Sequence, residues 1–180
     1  MARVILVVVA VFVVAVTATL VVKSRTARVE SLGPMPTHAD LQIKEVDLEE
    51  ESRGVRWRLK AEQALMFEQA GQTQLRKLVA SVQERQRAWT IVGEEGDLDR
   101  KTNNVEVRRN VIVTSDDGLR LETSVLRWDA AGKRLWTDAP VTLTRRGSVV
   151  RGSGLDVRVA DEATTIIGPV RAVFVTGKSR

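Results

Sequence analysis

Nothing in this sequence supplies a thiol, and almost nothing supplies an imidazole. The chain contains no cysteine, which excludes a disulfide scaffold and thiolate metal sites while fitting either side of a membrane. Its one histidine, His38, stands in a proline-bearing stretch with no triad partner beside it, so a surface histidine is expected rather than a general base. A glycine-rich phosphate loop and a histidine-based metal motif are also missing. Asp97 and Asp99 are spaced as an acid pair, yet the alternating oxygen ligands, central glycine and terminal glutamate of a calcium loop are absent; a solvated hairpin turn is expected there. No catalytic residue, metal or cofactor is therefore assigned. An enzyme is not expected, although carboxylates brought together from distant strands keep a glycan-acting envelope enzyme as a last-ranked reading.

A nucleic-acid partner is set aside by where the charge lies. Lys and Arg outnumber Asp and Glu by 28 to 23. Arg3, Lys23, Arg25 and Arg28 all precede the first acid, Glu30, so residues 29–180 carry 24 bases against 23 acids, a net of +1. The excess flanks an uncharged run at residues 4–22, interrupted only by Thr17 and Thr19. At about 1.5 Å per residue such a helix is about 28 Å long, close to the ~30 Å hydrocarbon core of a bilayer. Residues 16–18 (Val-Thr-Ala) resemble a small-x-small cleavage signal, but the run is longer than a usual signal-peptide core. A retained single-pass anchor over residues 1–23 is expected, with a short cytoplasmic N-terminus and an exported domain. Long domains translocate largely regardless of flanking charge. Residues 24–39, with Gly33, Pro34 and Pro36, cannot continue a helix and read as an extended linker.

From Leu41 onward the dominant period is two. In residues 118–141, Leu119, Leu121 and Thr123 alternate with Arg120, Glu122 and Ser124; Leu126 and Trp128 then alternate with Arg127 and Asp129, and Leu135, Thr137, Pro140, Val141 and Leu143 resume after a turn at residues 131–133. The unit recurs. Thirty residues earlier, Trp89, Ile91, Gly93, Leu98 and Val111 take the places of Leu119, Leu121, Thr123, Trp128 and Val141; 29 residues later, Val150, Gly152, Leu155, Val157 and Val170 take those of Leu121, Thr123, Leu126, Trp128 and Val141. A weaker copy begins at Trp57 and Leu59. Lys44–Glu45 breaks the first strand as a bulge would, and residues 50–54 read as a charged turn. Residues 61–87 are rich in helix formers and place Leu75, Leu78, Val79 and Val82 at helical spacing. The repeat nevertheless aligns Ala61-Glu62-Gln63-Ala64 with Gly93-Glu94-Glu95-Gly96, so strands are expected, with a turn at residues 69–73 and Leu78, Ala80 and Val82 on one face.

The fold class expected is all-β: one N-terminal transmembrane helix, then a stack of hairpin units of ~30 residues over residues 40–176, and a polar tail at 177–180. Trp57, Leu59, Leu78, Val82, Trp89, Ile91, Leu98, Val111, Leu119, Leu121, Trp128 and Val141 are the inward set. Such a set is ordinarily core; in hairpins whose two faces curl together it also lines an interior able to hold acyl chains. Arg145, Arg146 and Arg151 flank the Gly147 turn, as a solubilising rim or as phosphate contacts at the mouth of that interior. The last strand, residues 170–175, carries Val170, Ala172 and Phe174 on one face and Arg171, Val173 and Val175 on the other, apolar on both sides for an edge.

These features together resemble the LptC family: a single anchor, a Pro-bearing linker, the patterns Trp89-x-Ile91-x-Gly93-Glu94-x-Gly96 and Val150-x-Gly152-x-Gly154-Leu155-Asp156, and the closing Ile167-Gly168-Pro169-Val170. The resemblance extends to OstA/LptA-like relatives. It implies an inner-membrane protein whose twisted periplasmic β-jellyroll binds the acyl chains of lipopolysaccharide. It also implies partners: an LptB/LptF/LptG-type ABC transporter near the membrane, and an LptA-like periplasmic protein pairing with the C-terminal edge strand. The expected function is passage of lipopolysaccharide between these two. A structural envelope adaptor with a solid β core is the alternative.

Overall fold

The computed structural model describes residues 39–52, 55–84, 87–158 and 163–175. The expected anchor, nearly all of the linker, and the tail lie outside these residues. The described chain is all strand and turn, and no helix in it is long and apolar enough to cross a membrane. Six long strands form an antiparallel meander: β1 (Leu41–Ser52), β2 (Val55–Phe67), β3 (Gln72–Glu84), β4 (Arg87–Asp99), β5 (Asn104–Ser115) and β6 (Leu119–Asp129). Six short ones complete it: β7 (Arg134–Thr137), β8 (Val141–Arg145), β9 (Ser148–Gly152), β10 (Gly154–Arg158), β11 (Ala163–Ile167) and β12 (Arg171–Val173). The sheet forks at β6. Its C-terminal half pairs with β7, followed by β10 and β11, while its N-terminal half pairs with β8, followed by β9 and β12.

The fork marks a bend that every strand shares. In β1 and β3 a single residue at that level takes positive φ, Glu45 and Lys77; in β5 two do, Arg109 and Asn110. The β4–β5 and β5–β6 registers shift there, and the later strands are cut outright at residues 138–140, at Ser153 and at residues 168–170. A strand crossing the bend must turn its inward side chains over, so the alternation slips. The inward residue on one side of the bend and the next on the other are Ile43 and Val46, Ala61 and Ala64, Leu75 and Leu78, Gly93 and Gly96, and Thr123 and Leu126, three apart. Where two extra residues are spent, as between Val107 and Val111, the spacing is four.

The bend folds the two half-sheets onto each other. One half carries the cross-strand row Met66, Thr73, Leu98, Val105, Trp128, Leu135, Val157; the other carries Leu59, Ala80, Ile91, Val113, Leu121, Leu143, Val150. Apart from Thr73 and Val150, these inward positions belong to one apolar cluster that also includes Trp57, with Trp57 1%, Leu59 0% and Trp128 3% exposed. With no helix among the described residues to cover them, each half must cover the other. Contacts span the bend directly: a Cβ on Gly93 would meet Val107 Cγ1 at 2.3 Å, and one on Gly96 would meet Leu78 Cδ2 at 2.5 Å. Small residues stand at the bend in β2 and β4, where Ala61, Ala64, Gly93 and Gly96 face inward, while Leu75, Leu78, Val107, Val111 and Leu126 flank it in β3, β5 and β6. Trp57, Met66, Trp89 and Trp128 lie toward the strand ends. Because the two half-sheets share the bend, the interior between them is a wedge that opens away from it.

Residues paired by the repeat occupy the same row: Trp57 and Trp89 flank Val82, and Leu121 and Ile91 flank Val113. The strand reading of residues 61–87 holds, with β2 and β3 joined at residues 68–71 and Leu78, Ala80 and Val82 all buried. Four details differ from expectation. β1 runs on to Ser52, because Glu50 and Glu51 find ladder partners in Trp57 and Arg56, so the charged turn at 50–54 is shorter than expected. Thr73 belongs to β3 and is fully buried, not part of a turn. Pro140 does not continue an alternation but lies in the break between β7 and β8. The last strand spans only Arg171–Val173, since Gly168 at φ +87 and Pro169 delay its start, and Val170, Phe174 and Val175 lie outside the ladder.

Candidate functional site

All twelve residues of the predicted inward set reach the interior, ten of them buried and Ile91 and Leu119 half-buried against the same cluster. The wedge is closed as it stands. An enclosed void of about 10 Å³, lined by Leu75, Leu78, Gly96, Leu98, Val105 and Val107, holds no more than one water-sized sphere. Several polar atoms face this apolar region without a hydrogen-bond partner: the Nε1 of Trp89, the Nε1 of Trp128 and the hydroxyl of Thr73. Thr137, also buried and in the inward phase, differs in that its hydroxyl accepts from the N–H of Ala139. Thr137 follows the alternation read from the sequence, whereas Thr73, which the sequence reading places in a turn, sits instead in a row of buried apolar partners.

The three predicted arginines do not converge. Arg145 continues the inward phase of β8 at the wide rim of the wedge, where its Nη2 donates to Asp117 Oδ2 at 2.8 Å. Arg146 is exposed in the turn itself at φ 48. Arg151 points to the opposite, outer face of β9, directly across from Arg171. Only Arg145 stands where a group at the mouth of the interior would meet it.

The outer face of the β7-side half is a lattice of charge. Asp97, Glu106, Arg127, Trp136 and Asp156 form one cross-strand row. Arg108 bridges Asp97 and Glu106, Arg127 donates to Glu106 at 2.6 Å and to Asp138 at 2.8 Å, and Arg134 pairs with Asp156. The guanidinium carbons of Arg127 and Arg134 lie 4.7 and 5.2 Å from the Trp136 ring centre, a cation–π stack the sequence did not reveal. An open groove of about 740 Å³ runs over this face and round its turn end, where it also meets Leu98, Val105 and Trp128 of the inward row. Burial pushes the Asp97 carboxyl above the usual carboxylate range although Arg108 pulls the other way. The hydrogen bonds from Arg134 hold Asp156 below that range, and the backbone N–H groups of Thr102 and Lys101 do the same for Asp99 in its turn. Asp97 is thus a strand residue paired to arginine, and only Asp99 serves the hairpin turn.

Among the described residues, both ends of the stack leave an unpaired margin. At β1 it carries Lys44, Glu45, Asp47 and Glu49 exposed. At the other end Ile167, Val170, Val173, Phe174 and Val175 are exposed, from 45% to 72%, an apolar edge of the kind that invites a further strand.

An antiparallel sheet folded along a shared bend around an apolar wedge defines a jellyroll-like β-stack. The chain matches the model of the family described as lipopolysaccharide-assembly, LptC-related, over residues 6–175, and belongs to that family, a component of lipopolysaccharide transport in the cell envelope. Among solved structures it is similar to LptH from Pseudomonas aeruginosa, described as the LptA homologous periplasmic component of the conserved lipopolysaccharide transport device. The TM-score is 0.51 at 11% identity, covering 67% of this chain and 95% of that one. No curated protein matches the chain.

Proposed function

We propose that this chain carries lipopolysaccharide between an inner-membrane LptB/LptF/LptG-type ABC transporter and an LptA-like periplasmic protein, holding the acyl chains inside the wedge. The observation that carries the reading is the continuous apolar interior between the two half-sheets, bounded by Gly93 and Gly96 at the bend of β4 and by Trp57, Trp89 and Trp128 toward the strand ends. Two half-sheets joined along one bend can part at the wide side without breaking a ladder, and the apolar rows so uncovered match hydrocarbon. The exposed apolar edge at β11 and β12 supports strand addition by the LptA-like partner, β-augmentation with Val173 and Phe174 at the seam. Residues 1–23 act as the anchor, and the driving energy comes from the transporter. In the test, a photoreactive residue at Trp89 or Leu121 labels lipopolysaccharide when the transporter is supplied with ATP, whereas one at Arg120 does not, because neighbours on a strand face opposite sides. Equal labelling from both sets would contradict it.

The near absence of void space favours a second reading, a solid-cored adaptor that joins its neighbours by their edges and carries no lipid. Lipid-free crosslinks combined with intact partner capture would establish that one.

A further inference from the structure

The polar atoms left without partners in the interior are not scattered. Trp89 stands in the outermost inward row of β4, near the start of that strand at Arg87; Trp128 and Thr73 stand in the outermost inward row of the other half, beside the turns at 130–133 and 68–71. All three therefore lie along the wide mouth of the wedge, one on one lip and two on the other. Each is at least nine-tenths buried, with Trp89 8%, Trp128 3% and Thr73 0% exposed, and each lacks a hydrogen bond. Buried polar groups in proteins are nearly always partnered, so three orphans at one level of an otherwise apolar interior call for a reason. The small void near the bend is lined by none of the three.

An indole is suited to this position because its body is apolar while its N–H donates, the property that places tryptophan at the boundary between hydrocarbon and water in membranes. A lipid inserted tail-first would bring its tail to the glycine and alanine positions near the bend. The oxygen atoms at the head of each acyl chain would then come level with the mouth. We infer that Trp89 and Trp128, assisted by Thr73, donate hydrogen bonds to the carbonyl or hydroxyl oxygens at the head end of a bound acyl chain, so that the interior selects oxygen-bearing acyl chains over plain alkyl chains. This rests on the reading that the wedge receives lipid tails, and it adds the depth, the donors and the ligand chemistry.

The test uses the full chain, labelled with ¹⁵N-tryptophan and kept in amphipol, titrated with two single-chain phosphocholines of equal tail length. One is the tetradecanoyl ester, which has an acyl carbonyl, and the other is the tetradecyl analogue, which has none. The indole protons of Trp89 and Trp128 move downfield with the ester, while that of Trp136, on the outer face, stays put. The ester binds about 3- to 10-fold more tightly, the worth of one or two neutral hydrogen bonds. Trp128→Phe and Trp89→Phe reduce the ratio of ester to alkyl affinity toward one, whatever the loss of ring contact does to the two ligands alike. Thr73→Val serves as a near-isosteric third variant should a phenylalanine disturb folding. Saturable binding of both ligands with equal affinity and unmoved indole signals overturns the inference while leaving the lipid-carrier reading intact. Failure of both ligands to bind removes both.

Discussion

A methyl group added at Gly93 tests the closure of the wedge at its narrow end. The Cβ of alanine there would lie 2.3 Å from Val107 Cγ1, where carbon atoms rest at about 3.5–4.0 Å, an overlap of more than ~1 Å. Val107 is β-branched, with a restricted χ1 and both γ-carbons on a buried strand face, so it has little room to swing aside. The overlap must be relieved by shifting backbone or by parting the half-sheets, and Gly93→Ala should cost about 1–3 kcal/mol. Val107→Ala alone removes two methyl groups from a site 7% exposed, losing ~1.6 kcal/mol of transfer free energy plus a cavity term, in all about 2–3 kcal/mol. In the double variant the new methyl fills the space the valine vacated. The double cost should fall short of the sum by about 1–2 kcal/mol, a coupling measurable only for residues in contact. Gly96→Ala is the control: its Cβ meets Leu78 Cδ2 at 2.5 Å, the movable end of a leucine, so its cost should stay below about 1 kcal/mol. The assay is guanidinium chloride unfolding followed by tryptophan fluorescence, compared at unchanged m-value. Additive costs, or a larger penalty at Gly96 than at Gly93, would refute contact between the half-sheets across the bend.

Other expectations concern the bend, the core and the charged face. Lys77 adopts φ 49 in mid-strand; Lys77→Gly should be neutral or stabilising, whereas Lys77→Val should destabilise by about 1–2 kcal/mol, since a β-branched residue tolerates that conformation poorly. Leu59→Asp buries an unpaired carboxylate at a fully buried position and should leave no folded protein at neutral pH by near-ultraviolet circular dichroism, because a cost of several kcal/mol is comparable to the stability of a whole domain. On the outer face the signs oppose each other. Asp156, depressed by Arg134, contributes stability that is present above the unfolded carboxylate pKa and lost as pH falls through its lower folded value. Asp97, raised by burial, gains stability as pH falls through its raised folded value. Asp156→Asn should therefore lower the melting temperature at pH 7. Asp97→Asn should leave it equal or higher, with that difference vanishing as the pH approaches the ordinary carboxylate range.

The interior was legible because its rule is local: every second residue is apolar, and a ~30-residue shift lays Trp57 on Trp89 and Leu121 on Ile91. That same shift kept residues 61–87 as strands against their helix-forming composition. Two complete ladders, to β2 and to β4, outweigh an intrinsic preference worth at most about 0.7 kcal/mol per residue. The bend was written in the sequence too, as the slips from Ile43 to Val46 and from Gly93 to Gly96, but only the first showed as a broken alternation; the others looked like the ends of separate strands. What the sequence concealed depends on non-local geometry. Whether Arg145, Arg146 and Arg151 share a place is decided by a turn and a change of face, and Trp136 reads as an ordinary apolar residue until Arg127 and Arg134 are seen beside it. The shortened β12 follows from Gly168 at positive φ and Pro169, which together hold the start of the strand back to Arg171.

The most direct test of a folded-over, lipid-holding wedge is a photo-crosslinking scan of β6 one residue at a time, from Leu119 to Asp129, in the presence of lipopolysaccharide and the energised transporter. Labelling should appear at 119, 121 and 123, then shift phase and reappear at 126 and 128, because the strand turns its inward side over at Ser124 and Val125. Unbroken alternation through 125, 127 and 129, or uniform labelling along the strand, would contradict both the bend and the interior route for the lipid.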